Sequence, residues 1–196
     1  MAQKHHITVA DLLPPDEYAE IRVESRRRIA ARKRNRRVEV GPFVTFYFED
    51  FETIWLQIQE MIHIEKGTLE QAPSEIAAYE PLIPKGRELV ATFMIEIDDP
   101  LRRKRVLDTL GAIEETAFIE LGGTRIAGVA EADQDRTRAD GKASAVQFVH
   151  FPFTDAQVAA FREPGARVLI GFTHQNYGHI AVMPEAVRVD LAGDFA

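Results

Sequence analysis

The sequence predicts an α+β fold: a single domain with a mainly antiparallel sheet of about seven strands, helices packed on it, and a basic helix at its N-terminus. Three observations predict it. Val38–Phe48 is β-branched and aromatic, as a strand should be. It runs straight into Phe51–Lys66, where Ile54, Trp55, Ile58, Met61 and Ile62 fall on one helical stripe. The later strand-like segments are joined by short turns, and short turns favour antiparallel neighbours.

In chain order, Thr8 and Asp11 form a capping pair for a short turn before Pro14 and Pro15. Pro15 opens a helix from about Asp16 to Asn35, with Asp16 and Glu17 suited to its positive end. Its apolar positions, Tyr18, Ile21, Val23, Ile29 and Ala30, make a thin stripe. Residues 1–37 are therefore expected to form a basic helical arm packed on the body, and residues 38–196 the α+β domain. After the Val38–Phe48 strand and the Phe51–Lys66 helix, Gly67 is placed to end that helix. A short helix near Pro73 is stopped by Pro81 and Pro84. In the strand Arg87–Ile97, Leu89, Ala91, Phe93, Ile95 and Ile97 share one face, while Val90, Thr92, Met94 and Glu96 make a mixed one. A sheet partly covered on its second side gives that pattern. Asp99-Pro100 starts a helix, and Gly122-Gly123 joins Phe118–Leu121 to Arg125–Ala130 as a hairpin. A polar connection, Glu131 to Lys142, leads to the strand Ala143–Phe153 and a helix capped by Thr154. Strands Ala166–Thr173 and His179–Met183 around a Gln175–Gly178 turn, then a helix from Pro184, complete the chain.

Composition narrows the chemistry. The 196 residues contain no cysteine, which removes disulfides, thiolate nucleophiles and cysteine-ligated metal sites. No apolar run approaches the ~18 residues that span a bilayer, and Met1–His6 lacks an apolar signal region, so a cytoplasmic protein without membrane contact is expected. Net charge is -7, yet Arg22–Arg37 holds nine Lys or Arg against the single acid Glu24. Phosphate loops and the serine-hydrolase elbow are absent.

Three groups are candidate sites. Glu60 and His63 have the Glu-x-x-His spacing of carboxylate-bridged metal bundles; the plainer reading is a solvated helix face. His150, His174 and His179 lie in the C-terminal strands and could converge on a divalent cation such as zinc or iron, or be incidental hairpin residues. Arg26, Arg27, Arg28, Arg32, Lys33, Arg34, Arg36 and Arg37 could grip an acidic partner, fold back on the acidic body, or bind nucleic acid. No aromatic residue is interleaved with these arginines for base stacking, which weighs against nucleic acid.

Gly41-Pro42-Phe43-Val44, Gln57–Met61, Tyr79, Leu82-Ile83-Pro84, Met94–Ile97, Ser144–Phe148 and the His174–Tyr177 turn together resemble the bacterial family catalogued as domain of unknown function 3501. The resemblance covers essentially the whole chain. It implies no activity and no catalytic residue. Genes of that family lie beside those of rubrerythrin-like and iron–sulfur proteins, which implies a role near redox or oxidative-stress chemistry. The leading expectation is thus a non-enzymatic binding or accessory protein with a redox protein partner, capable of self-association. A small His/Glu metal-dependent enzyme and a nucleic-acid binder are the alternatives.

Overall fold

The computed structural model describes residues 4–131 and 142–196. The expected connection from Glu131 to Lys142 therefore falls almost wholly outside the described residues. Among these residues the strands number nine, in two antiparallel sheets rather than about seven in one. They are β1 (Arg37–Val40), β2 (Val44–Phe48), β3 (Glu88–Ile95), β4 (Ala117–Leu121), β5 (Thr124–Ala127), β6 (Val129–Ala130), β7 (Val146–Pro152), β8 (Val168–Phe172) and β9 (Ile180–Val182). The first sheet has the order β1-β2-β3-β7-β6, and the second β5-β4-β8-β9.

Two local features account for the extra strands. Val38–Phe48 is a hairpin, not one strand, because Gly41 takes a left-handed φ of 69° and turns the chain before Val44. Arg125–Ala130 changes sheets at Gly128, whose N–H donates to Ala117 O at 2.8 Å. A side chain there would meet Val149 of the first sheet and Ala117 of the second. The β5–β6 chain thus joins one pair of sheet edges, and β1 lies beside β9 at the other. Gly122 and Gly123, both at positive φ, make the expected tight β4–β5 turn.

Between the sheets lies the main core. Phe46 stacks on Phe172 across it with ring centroids 5.0 Å apart, and Phe93 meets Phe172 edge to face. Leu89, Ala91, Phe93 and Ile95 all point into this core, as the alternation of β3 requires.

Helices α1 (Pro15–Lys33), α2 (Phe51–Ile64) and α3 (Ala72–Tyr79) lie in the N-terminal half; α4 (Pro100–Leu107), α5 (Asp155–Arg162) and α6 (Glu185–Leu191) follow. A second apolar cluster joins Ile54, Trp55, Ile58 and Ile62 of α2 to Val90 and Phe148 on the outer face of the first sheet. Asp50 caps α2 through the Thr53 N–H at 2.9 Å, and Thr53 Oγ1 accepts from the Asp50 N–H in return. At the other end the left-handed residue is Lys66, one position before the expected Gly67. The Thr8–Asp11 turn forms as expected, and Trp55 Nε1 donates to Asp11 O at 2.9 Å.

Candidate functional site

Antiparallel register determines what stands on the outer face of the first sheet. Tyr47 pairs with Thr92 and Thr92 with Phe148; Thr45 pairs with Met94 and Met94 with Val146. Glu49, just past β2, continues the same face, its N–H donating to Val90 O at 2.8 Å. Helices α2 and α3 roof only part of this surface. The gap is a cleft of ≈ 240 Å³ with Thr92, Met94, Val146 and Phe148 as its floor. Thr53, Ile54 and Gln57 of α2, then Tyr79 and Leu82, form the walls; Lys33, the last residue of α1, also lines it.

Glu49 is the distinctive group in this cleft. It is 8% exposed, and each carboxylate oxygen accepts one hydroxyl: Oε2 from Thr53 at 2.6 Å and Oε1 from Thr92 at 2.7 Å. Two hydroxyls leave about half of a carboxylate's acceptor capacity unused. Among the described residues, none of the ion pairs within 4.0 Å involves Glu49 or Lys33. A buried carboxylate is normally paired with a cation or a metal. Here that partner position opens on a cleft.

A family model described as protein of unknown function (DUF3501) matches residues 6–195. This chain belongs to that family. Among solved structures, the DUF3501 chain is similar to a novel protein of unknown function from Burkholderia pseudomallei K96243. The two are 35% identical over 97% of this chain and 99% of that one, with a TM-score of 0.89. No curated protein matches.

The DUF3501 chain distributes the sequence-predicted site residues differently from their expected grouping. Glu60 is not on a solvated face. Arg22 Nε and Nη2 donate to its two oxygens at 2.8 Å each, and Tyr18 Oη donates to Oε1 at 2.5 Å. The Arg22 guanidinium is the main cause that holds the Glu60 carboxyl below its ordinary range, against the upward push of burial. Burial first, and then Glu60, push the Tyr18 phenol well above its ordinary value. His63 stands edge-on to the Tyr18 ring, at 5.9 Å between centroids. Glu60 and His63 therefore belong to the α1–α2 seam. Both lie off the Ile54, Ile58 and Ile62 stripe, on the flank that α1 covers.

The three histidines of the second group are each engaged locally, His150 on β7 and His174 and His179 in the β8–β9 connection. His150 Nδ1 lies 3.0 Å from a Glu88 oxygen and Nε2 lies 3.0 Å from a Glu131 oxygen. Burial lowers the affinity of this imidazole for a proton, but Glu88 and then Glu131 outweigh it, and the group is raised above its ordinary value. His174 Nδ1 accepts from the Asn176 N–H, which leaves Nε2 as the donor to Gly111 O at 3.2 Å. His179 packs edge-on against Tyr177. Among the described residues, no three His, Asp or Glu side chains are placed to share a metal ion. No described helix is long and apolar enough to cross a membrane.

The basic arm divides in two. Arg28 pairs with Glu52, Arg32 with Asp50 at 2.5 Å, and Arg36 is fully buried among Asp194, Asp190 and Asp50. Arg36 is thus withdrawn from any surface contact. Arg26, Arg27 and Arg34 are exposed, Arg26 near enough to the seam for its charge to act on Glu60, and exposed Arg37 reaches Glu39 only at 3.7 Å.

Glu49 and Thr92 were not singled out from the sequence. The available signal was an acid following five consecutive strand residues, Val44–Phe48, directly before the Asp50–Thr53 cap.

Proposed function

We propose that this DUF3501 chain is a binding protein whose small-molecule site is the cleft over β3 and β7. The observation that supports it is Glu49: a buried carboxylate held by two hydroxyls, with no ion pair within 4.0 Å among the described residues, lining a cleft whose floor is largely apolar. At ≈ 240 Å³ the cleft is smaller than the roughly 300–1,000 Å³ of drug-sized ligand sites, so its occupant is small.

The methionines supply a reporter. Met94 lines the cleft, whereas Met183 is buried in the inter-sheet core. With methionine methyls labelled with carbon-13, a library of small polar and apolar metabolites should contain members that shift Met94 and leave Met183 still. A library that leaves Met94 unmoved at millimolar concentration removes the reading.

A second reading concerns a protein partner, and the outward position of Arg26, Arg27 and Arg34 favours it. In this reading the exposed arginines, with Lys33 and Arg37, grip an acidic surface of a redox protein, the partner class that the family resemblance implies. Affinity carried by charge falls as salt rises. Capture of a rubrerythrin-like or iron–sulfur protein from native cells by the wild type, and not by an Arg26→Ala, Arg27→Ala, Arg34→Ala variant, is the expected result. Equal capture by both would exclude this face.

A further inference from the structure

From the cleft we infer that its ligand is a small zwitterion with an apolar body, its ammonium seated on Glu49 and its anionic end turned to Lys33. This rests on the cleft being the binding site. Glu49 and Lys33 carry opposite charges, line the same ≈ 240 Å³ space, and make no ion pair with each other. Collapse onto one another is the ordinary fate of such a pair in a half-dry site, because each gains the other as counter-charge.

Their separation has a structural cause. Glu49 is held down by hydrogen bonds from Thr53 on α2 and Thr92 on β3. Its backbone is fixed as well, with its N–H on Val90 O at 2.8 Å and its carbonyl accepting from Arg36 Nη2 at 3.0 Å. Lys33 sits on a different element, at the end of α1. The carboxylate is therefore fixed in place in the cleft lining, with acceptor capacity beyond its two hydroxyl bonds. An ammonium brings three donors and no acceptor, which suits a carboxylate whose remaining need is for donors.

Besides the two charged groups and the polar Thr53, Thr92, Gln57 and Tyr79, the lining offers apolar surface: Met94, Val146 and Phe148 beneath, Ile54 and Leu82 from the walls. A bare amine would satisfy Glu49 and leave Lys33 facing a like charge. A bare acid would do the reverse and bury an anion against Glu49. A zwitterion with a short hydrocarbon side chain satisfies both ends and covers the floor. α-Amino acids with branched aliphatic side chains have this chemistry.

The test uses the full chain with labelled methionine methyls and three matched probes: leucine, 3-methylbutylamine and 4-methylpentanoate. Leucine should shift Met94 and bind most tightly; the amine should bind more weakly, and the acid weakest. Glu49→Gln preserves the shape of the side chain and should weaken leucine by about tenfold or more, as loss of a charged hydrogen bond does. Lys33→Gln, a change outside the cores, should weaken leucine but not the amine, so the inference stays open to refutation even if Glu49→Gln folds poorly. Equal or tighter binding of the acid overturns the charge assignment while leaving the cleft as a ligand site. Silence of Met94 toward all three probes also overturns it, and silence toward the wider metabolite library removes the cleft reading with it.

Discussion

Arg36 and Asp194 form a two-bond ion pair sealed from solvent, with Nη1–Oδ1 at 3.1 Å and Nη2–Oδ2 at 2.5 Å. Arg36 lies between α1 and β1 and Asp194 in the turn that follows α6, so the pair fastens the α1–β1 junction to the segment after α6. The same guanidinium donates to Phe48 O at 3.1 Å and Glu49 O at 3.0 Å, and lies 3.5 Å from Asp50. Its fork satisfies carbonyls and carboxylates that have no water to turn to.

Replacing Arg36 by methionine should therefore destabilise the protein by about 3–5 kcal/mol, since acids stay buried after their counter-charge is gone. Lysine at this position should recover only part of the loss, because an ammonium cannot bond Asp194 through two parallel donors. Urea unfolding of Arg36→Met and Arg36→Lys checks both statements. A loss below about 1 kcal/mol for methionine would show that the pair is no fastening at all.

Along the antiparallel α1–α2 seam, Arg22, Arg28 and Arg32 meet Glu60, Glu52 and Asp50 in turn. Their burial differs, and their energetic weight should follow it. Asp50 is 1% exposed and caps α2 besides, whereas Arg28 and Glu52 are 53% and 39% exposed. Double-mutant cycles should give the Arg28–Glu52 pair less than about 0.5 kcal/mol, in the range of screened surface pairs. The Arg32–Asp50 and Arg22–Glu60 couplings should both exceed it. Three equal couplings would contradict the dependence on burial.

Much of this architecture was legible in the sequence, and the parts that were not share a cause. Alternation along β3 and the stripe of α2 report which face is buried, so Phe93 and Ile58 were placed correctly. Alternation does not report which sheet a strand joins. The pivot at Gly128 and the turn at Gly41 therefore fell inside single expected strands, Arg125–Ala130 and Val38–Phe48, and two sheets read as one. For the site the limit was different. Grouping residues by type drew together His150, His174 and His179, each of which the fold commits to neighbours of its own. Glu49 escaped notice because its partner Thr92 is 43 residues away, and only the β2–β3 register brings them together.

His150 should make stability depend on pH with a defined sign. Glu88 and Glu131 raise the imidazole above its ordinary 6.5, so its stabilisation is complete below 6.5 and fades as pH rises through the higher folded value. Burial raises the Glu88 carboxyl, but His150 outweighs it and the group ends below its ordinary 4.5. That contribution is present above 4.5 and fades as pH falls through the lower folded value. The wild type should exceed His150→Gln in unfolding free energy by most between pH 4.5 and 6.5. A gap as large at pH 8.5 as at pH 5.5 would remove the charged clamp from the account.

The β1–β2 turn should also be sensitive to substitution, for reasons of space. Tyr177 Oη donates to Val40 O at 2.7 Å and accepts from the Phe43 N–H at 3.3 Å, bracketing Gly41 from outside the hairpin. Gly41 has a φ of 69°, and a Cβ built there would stand 2.6 Å from Tyr177 Oη and 2.7 Å from the His179 ring. Gly41→Ala thus combines a disfavoured backbone with a collision and should cost more than the ~1 kcal/mol typical of backbone strain alone. Tyr177→Phe keeps the ring against Phe43 and Phe172 but removes the hydroxyl that bonds the Val40 carbonyl and the Phe43 N–H. That change should cost about 1–3 kcal/mol. In the double variant the Tyr177 oxygen is gone, so part of the collision is relieved and the two losses should sum to more than the measured total. Strict additivity in thermal or urea unfolding would mean that the strain lies in the backbone and the His179 ring, and not between the hydroxyl and the turn.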